Sequence, residues 1–166
     1  MWGQDFQVQI PCLKPSVLSK GPILGLGYRS PWVLGNIVQA KIAKEYSLNV
    51  MLAQQSAREL ERTKRTFRDV IESAVISAYE ANLSIPWGAD GDHLKTEDNL
   101  KEAVNAGCTH FTYDVSDELK KGLKEAVDKI CELYNLTKKL KGDDNFSSEV
   151  SLDETESSTK IDKLSI

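Results

Sequence analysis

The residues best suited to chemistry lie in the middle of the chain: Asp90, Asp92 and His93, within Pro86-Trp87-Gly88-Ala89-Asp90-Gly91-Asp92-His93-Leu94-Lys95-Thr96. A neutral imidazole is a common transition-metal ligand, and a carboxylate beside it can act as general base or orient the ring. Adjacent residues on a strand point to opposite sides, but past a strand end a loop can aim both at one centre. Spacing alone specifies little. A helix N-cap region with an incidental histidine is the commoner meaning of one His beside one Asp.

A second polar cluster is Gln54-Gln55-Ser56-Ala57-Arg58-Glu59-Leu60-Glu61-Arg62. Amides and guanidinium groups suit a polyhydroxylated ligand bearing a carboxylate, because Arg forks onto a carboxylate through two hydrogen bonds. Composition alone favours a solvated helix start with Glu and Arg at i,i+4 spacing. Asp153-Glu154 could bind a metal or sugar hydroxyls, or form an acidic surface turn. His110 falls inside a strand and reads as structural, and Trp2, Trp32 and Trp87 read as packing residues, with Trp87 near enough to line a site.

The elements that must position these groups alternate regularly. Strands are expected at 22–27, 48–53, 83–88, 109–113 and 147–152. Helices are expected at 33–46, 66–81, from the Thr96 cap to Gly107, and as one long element over 116–140. Thr66 and Asp69 have capping-box spacing, and Glu97 and Asp98 suit the positive end of a helix dipole. Strands alternating with helices mean parallel βαβ units, built into either a doubly wound sheet or a (β/α)₈ barrel. Gly25 and Gly27 give GxG, but Ser30 stands where a dinucleotide fingerprint needs its third glycine. In a barrel, chemistry collects at the C-terminal strand ends. The polar residues fall there: Gln54 and Gln55 after strand two, Asp90, Asp92 and His93 after strand three, Asp114 after strand four, Asp153 and Glu154 after strand five. The expected architecture is α/β, a partial TIM-like (β/α)₈ barrel of about the first five strands with four helices. It occupies 21–155, between an irregular segment at 1–20 and a polar tail at 156–166 expected to be disordered in isolation.

Bulk properties narrow the function. The chain has 166 residues, 40% of them apolar, and a net charge of -4. That balance argues against nucleic acid, which demands a basic surface. Cys12, Cys108 and Cys131 are widely spaced, with no CxxC pair, and read as reduced thiols of a cytoplasmic protein. No apolar run is long enough to span a membrane. Two histidines, His93 and His110, cannot supply several imidazoles to one metal.

These residues carry a resemblance. Ala53-Gln54-Gln55-Ser56, with Arg58, Glu59, Glu61-Arg62-Thr63 and Arg65-Thr66, resembles a signature of the tagaturonate epimerases. The Pro86–Thr96 stretch resembles a second, and Phe111-Thr112-x-Asp114 and Ser151-Leu152-Asp153-Glu154-Thr155 resemble a third and a fourth. The resemblance implies a barrel-like, divalent-metal-dependent isomerase that interconverts D-tagaturonate and D-fructuronate at C4. It implies Asp92 as proton acceptor and His93 as metal ligand. Gln54, Gln55, Arg58, Asp90, Lys95, Asp114, Asp153 and Glu154 are then the candidates for contacting the hexuronate. Gly91 stands where the family usually carries a small residue such as Ala, and Gly25 to Asn36 departs from the family's pattern.

Two further histidine ligands and the proton donor are expected downstream of residue 166. The chain is therefore expected to be an incomplete copy, with little activity alone, or one part of a split enzyme whose second polypeptide supplies the missing barrel half. A non-catalytic module that keeps the fold, and a metal-dependent ketose epimerase or aldolase acting on another sugar, are the rival readings.

Overall fold

The computed structural model describes residues 13–18, 21–25, 34–143 and 145–153. The first twelve residues of the expected N-terminal segment, Gly27, Trp32, Glu154 and the polar tail lie outside the described residues. The described strands are β1 (Ile23–Gly25), β2 (Asn49–Ser56), β3 (Trp87–Leu94), β4 (His110–Asp114) and β5 (Ser147–Ser151). The helices are α1 (Leu34–Tyr46), α2 (Ala57–Thr63), α3 (Phe67–Glu80), α4 (Glu97–Ala106), α5 (Ser116–Leu119) and α6 (Leu123–Lys141).

All four strand pairings are parallel, and the spatial order is β1-β2-β3-β4-β5. A doubly wound sheet reverses direction at a switch point. Here every new strand is added on the same side, as in a barrel wall. The helices follow suit: α1 packs on α3, α3 on α4, and α4 on α6. The result is a curled half-barrel with one layer of helices.

Local chemistry starts and stops these helices. Thr66 Oγ1 accepts from Asp69 N at 3.2 Å while Asp69 Oδ2 accepts from Thr66 N at 2.7 Å, closing the expected capping box on α3. Thr96 Oγ1 accepts from Asn99 N at 3.2 Å to open α4, and Gly107 ends it with φ 103. The core fills the space between sheet and helices, with Leu52, Trp87, Ala89, Phe111 and Tyr113 from the strands and Ala74, Leu100 and Leu133 from the helices. Tyr113 OH and Thr137 Oγ1, 2.9 Å apart, tie β4 to α6 inside this layer. Trp87 is therefore a core residue.

The structure differs from expectation in three places. β2 and β3 run further than their apolar runs, so Gln54, Gln55, Asp90, Asp92 and His93 lie within strands rather than after them. The backbone ladder continues through them, and Gln54 meets Asp90 and His93 meets Asp114 across neighbouring strands. The Gln54–Arg62 cluster contributes a full helix, α2, capped by Ser56 and ended by Lys64 at φ 55. The long helix over 116–140 is split into α5 and α6, with Gly122 as the N-cap of the second piece. Six described helices replace the four expected.

Gly91 marks the closest approach of a helix to the sheet. A Cβ built there would lie 2.8 Å from Ala103 Cβ on α4, so even alanine needs a shift. Gly91→Val is expected to cost about 1–3 kcal/mol by overpacking. The measurement is a lower urea midpoint with unchanged m.

Candidate active site

Strand alternation sets where the polar groups go. Ala89 and Gly91 face the helices, so Asp90 and Asp92 face the opposite side of the sheet. A polar row crosses that side. Gln54 Nε2 donates to Asp90 Oδ2 at 3.3 Å, and Thr112 Oγ1 lies 3.3 Å from both oxygens of the same carboxyl and 3.4 Å from Glu149 Oε1. His110 extends the row, with Nδ1 2.8 Å from Ser147 Oγ and Nε2 3.7 Å from Glu149 Oε2.

At the end of β3 the alternation breaks. The β3–β4 register shifts between Gly91 and Leu94, and His93 adopts φ 50, the left-handed region that residues other than glycine seldom occupy. This bulge re-aims the imidazole. Nδ1 lies 3.1 Å from Asp114 Oδ2, and Nε2 lies 3.8 Å from Asp92 Oδ1. Asp153 Oδ1 stands 4.0 Å from Nδ1, and Asp153 is also bonded to Ser151 Oγ. Asp114, at 0% exposure, takes the backbone N–H of Ser116 on Oδ1 at 3.0 Å and has Lys95 Nζ 3.4 Å from Oδ2. Lys95 Nζ also donates to Asp117 Oδ2 at 3.1 Å.

The carboxyls titrate according to what surrounds them. Burial pushes Asp90 up to about 8, reinforced by Asp92 and Glu149 and opposed by the hydrogen bonds from Thr112 and Gln54. Burial also raises Asp92, although His93 pulls it down. For Asp114, burial would raise the carboxyl, but the Ser116 hydrogen bonds, His93 and Lys95 outweigh it and hold it below the usual range. For His93, burial would lower the imidazole, but the hydrogen bond to Asp114 and the charges of Asp92 and Asp153 outweigh it and raise it.

Asp92, His93, Asp114, Lys95 and Asp153 thus meet at one strand end, and Gln54 and Asp90 lie in the polar row behind them. Gln55 is turned to the helix side, buried, where its Oε1 accepts from Arg65 Nη1 at 3.4 Å. Arg58 lines a cleft of about 590 Å³ beside α2, together with Arg65, His93 and Lys95. His93 borders that cleft whereas Asp90 and Asp92 do not, so the carboxylate–imidazole pair rather than the cleft defines the site. Thr112 within the third block, Ser116 and Glu149 are site residues that spacing did not single out. Glu149 could have been found from its place on the Ser147, Glu149, Ser151 side of β5, which pairs with His110, Thr112 and Asp114.

A divalent cation can be tested against these donors. An imidazole nitrogen with a carboxylate 3.8 Å away is a suitable donor pair. Among the described residues no group of three His, Cys, Asp or Glu side chains is placed to hold an ion. The pair fits as part of a ligand set.

A sequence profile described as UxaE, tagaturonate epimerase, matches residues 4–129. The chain belongs to the tagaturonate epimerase family. It is 38% identical over 112 residues to a tagaturonate/fructuronate epimerase of Thermotoga maritima, covering 66% of this chain and 22% of that protein. Crystal structures of the fructuronate-tagaturonate epimerase UxaE of Cohnella laeviribosi share the fold. A one-glycerol complex superposes with a TM-score of 0.78 at 22% identity, over 92% of this chain and 41% of the other. The native form gives 0.58 at 32% identity, over 74% and 26%. The chain thus spans less than half the length of these relatives.

Asp90 yields a pH prediction. Its folded pKa of about 8 exceeds its unfolded value of 3.8, so the folded state holds the proton more tightly. Its contribution is complete below about pH 4 and is lost as pH rises toward 8. Asp90→Asn removes this slope. Denaturation across that window is expected to show wild type losing at least about 1 kcal/mol relative to the variant, since one pKa unit is about 1.4 kcal/mol.

Proposed function

We propose that this protein forms part of a hexuronate C4-epimerase, interconverting D-tagaturonate and D-fructuronate, with Asp92 as the base. The observation that carries the reading is the Asp92–His93 pair at the C-terminal end of β3, inside the segment matched to the family. A cytosolic setting suits such a metabolic role, and no described helix is long and apolar enough to cross a membrane.

The C4 hydrogen is β to the C2 ketone, which does not acidify it, so direct proton removal at C4 is unfavourable. A retro-aldol route is easier. Asp92 takes the C4 hydroxyl proton, and the C3–C4 electron pair moves onto the C2–C3 fragment as an enediolate. The C4 aldehyde forms, turns over, and is attacked on its other face as the proton returns. The raised Asp92 pKa helps a carboxylate do this work near neutral pH. When bound, a divalent cation would supply Lewis-acid stabilisation to the developing oxyanion. His93 would hold it through Nε2, with further ligands from outside the described residues. Arg58 and Lys95, with Gln54 behind them, are suited to the carboxylate and hydroxyls of the sugar acid. Asp153 and Glu154 join them in this reading as further candidates for contacting the sugar hydroxyls, on the family resemblance alone.

The chain spans 22% of the Thermotoga relative, and β5 ends the described sheet with exposed residues. Both support a site completed by further strands, from the rest of a longer chain or from a second polypeptide. The chain alone is expected to turn over little or no tagaturonate, and added strands are expected to restore it. Full activity of the purified chain by itself would overturn the requirement for completion. In the completed enzyme, Asp92→Asn is expected to lower kcat by about 10²–10⁴-fold, the usual contribution of a general base. Carbon isotope effects at C3 and C4 test the route. Their absence would exclude rate-limiting bond cleavage. A panel of tagaturonate, fructuronate, tagatose and fructose tests the substrate class: activity confined to the neutral ketoses would sink the hexuronate assignment.

A further inference from the structure

Asp114 is fully buried at the root of the candidate site, and its surroundings say what it does there. Oδ1 accepts the Ser116 backbone N–H at 3.0 Å, and Oδ2 faces both His93 Nδ1 at 3.1 Å and Lys95 Nζ at 3.4 Å. Every one of these neighbours is a donor or can become one. An ionised carboxylate only accepts. The hydrogen of a neutral His93 must then sit on Nδ1, which leaves Nε2 with a bare lone pair on the side of Asp92, 3.8 Å away.

We propose that Asp114 is a positioning residue that locks His93 in the Nδ1–H tautomer and so presents Nε2 as an acceptor to whatever binds beside Asp92. This assigns it a role through His93, in place of contact with substrate. The inference rests on the epimerase reading for its catalytic meaning, but not for its test. The bulge adds a reason for such a lock. His93 sits at φ 50 where the ladder breaks, so strand pairing does not fix its ring, and the carboxylate from the neighbouring strand does.

Asparagine at position 114 makes the test sharp. An amide nitrogen turned toward the buried Ser116 N–H would set donor against donor. The amide oxygen therefore stays on the Ser116 side, and the NH₂ takes the place of Oδ2. It then donates to His93 Nδ1 and drives the ring hydrogen to Nε2. Lys95 loses one acceptor but keeps Asp117 at 3.1 Å. A comparable carboxylate-to-amide change in serine proteases leaves the geometry intact, selects the wrong tautomer and costs about 10⁴-fold in kcat.

Long-range nitrogen–proton correlation spectra of the full chain report the tautomer directly. Only His93 and His110 contribute, and His110→Gln assigns the pair. The spectra are recorded at about pH 9, above the ordinary imidazole range. Wild type is expected to show His93 with a protonated Nδ1 and a bare Nε2, and Asp114→Asn is expected to reverse them while the backbone spectrum stays folded. Asp114→Glu is expected to restore the wild-type pattern in part. A wild-type His93 protonated on Nε2 overturns the proposal without any variant, and so does a folded Asp114→Asn protein with an unchanged tautomer. Turnover is not read, so failure of the completed enzyme to epimerise tagaturonate, with the expected tautomers in this chain, would count against the epimerase reading and leave this assignment standing.

Discussion

The arrangement of this half-barrel depends on which side of each strand is pressed against the helices. Gly91 lies under Ala103 of α4 with no room for a side chain, and Tyr113 is tied to Thr137 of α6. Because strand side chains alternate, these contacts leave no choice for the residues between them. Asp90, Asp92 and Thr112 must face the other side, where Gln54 and Glu149 meet them. A slip of one residue would put carboxylates into the apolar layer and open the polar row to nothing. The packing of α4 and α6 on the sheet is therefore what makes a row of titratable groups affordable.

Two buried carboxyls on neighbouring strands show how differently the same group behaves in different company. Asp90 has a hydroxyl and an amide as neighbours but also Asp92 and Glu149, and it holds its proton to about 8. Asp114 has a backbone N–H, an imidazole and an ammonium, and it stays ionised. Burial acts on both in the same direction, and the sign of the neighbours decides the outcome. The strand end thus carries a neutral acid and a fixed anion on either side of the Asp92–His93 pair. Such a separation of protonation states is what acid–base chemistry requires.

Much of the scaffold could be read from sequence because its signals are local. The capping box of α3, the Thr96 cap and Gly107 stop of α4, and the apolar cores of the strands all depend on residues within a turn of one another. The ends of β2 and β3 were less visible. Gln54, Asp90 and Asp92 look like loop residues until the neighbouring strand that hydrogen-bonds them is in place. The break between α5 and α6 was equally hidden, since the apolar spacing from Leu119 to Leu123 runs across it and a single glycine interrupts it.

For the site, the residue types and the order of the blocks were enough to single out Asp92 and His93 and to point to the family. What they could not say is how the two are oriented. Adjacent strand residues should point apart, and only the bulge at His93 and the carboxylate of Asp114, 21 positions further on, bring the imidazole to face Asp92. Likewise Gln55 carries the same side chain as Gln54 but is turned to the helices, where it meets Arg65. The sequence by itself determined the alternation of strands and helices and the chemical types at the strand ends, because caps, periods and composition act over a few residues. Only the tertiary structure decided which groups meet, because hydrogen-bonding partners, burial and pKa depend on strands that the chain brings together from far apart.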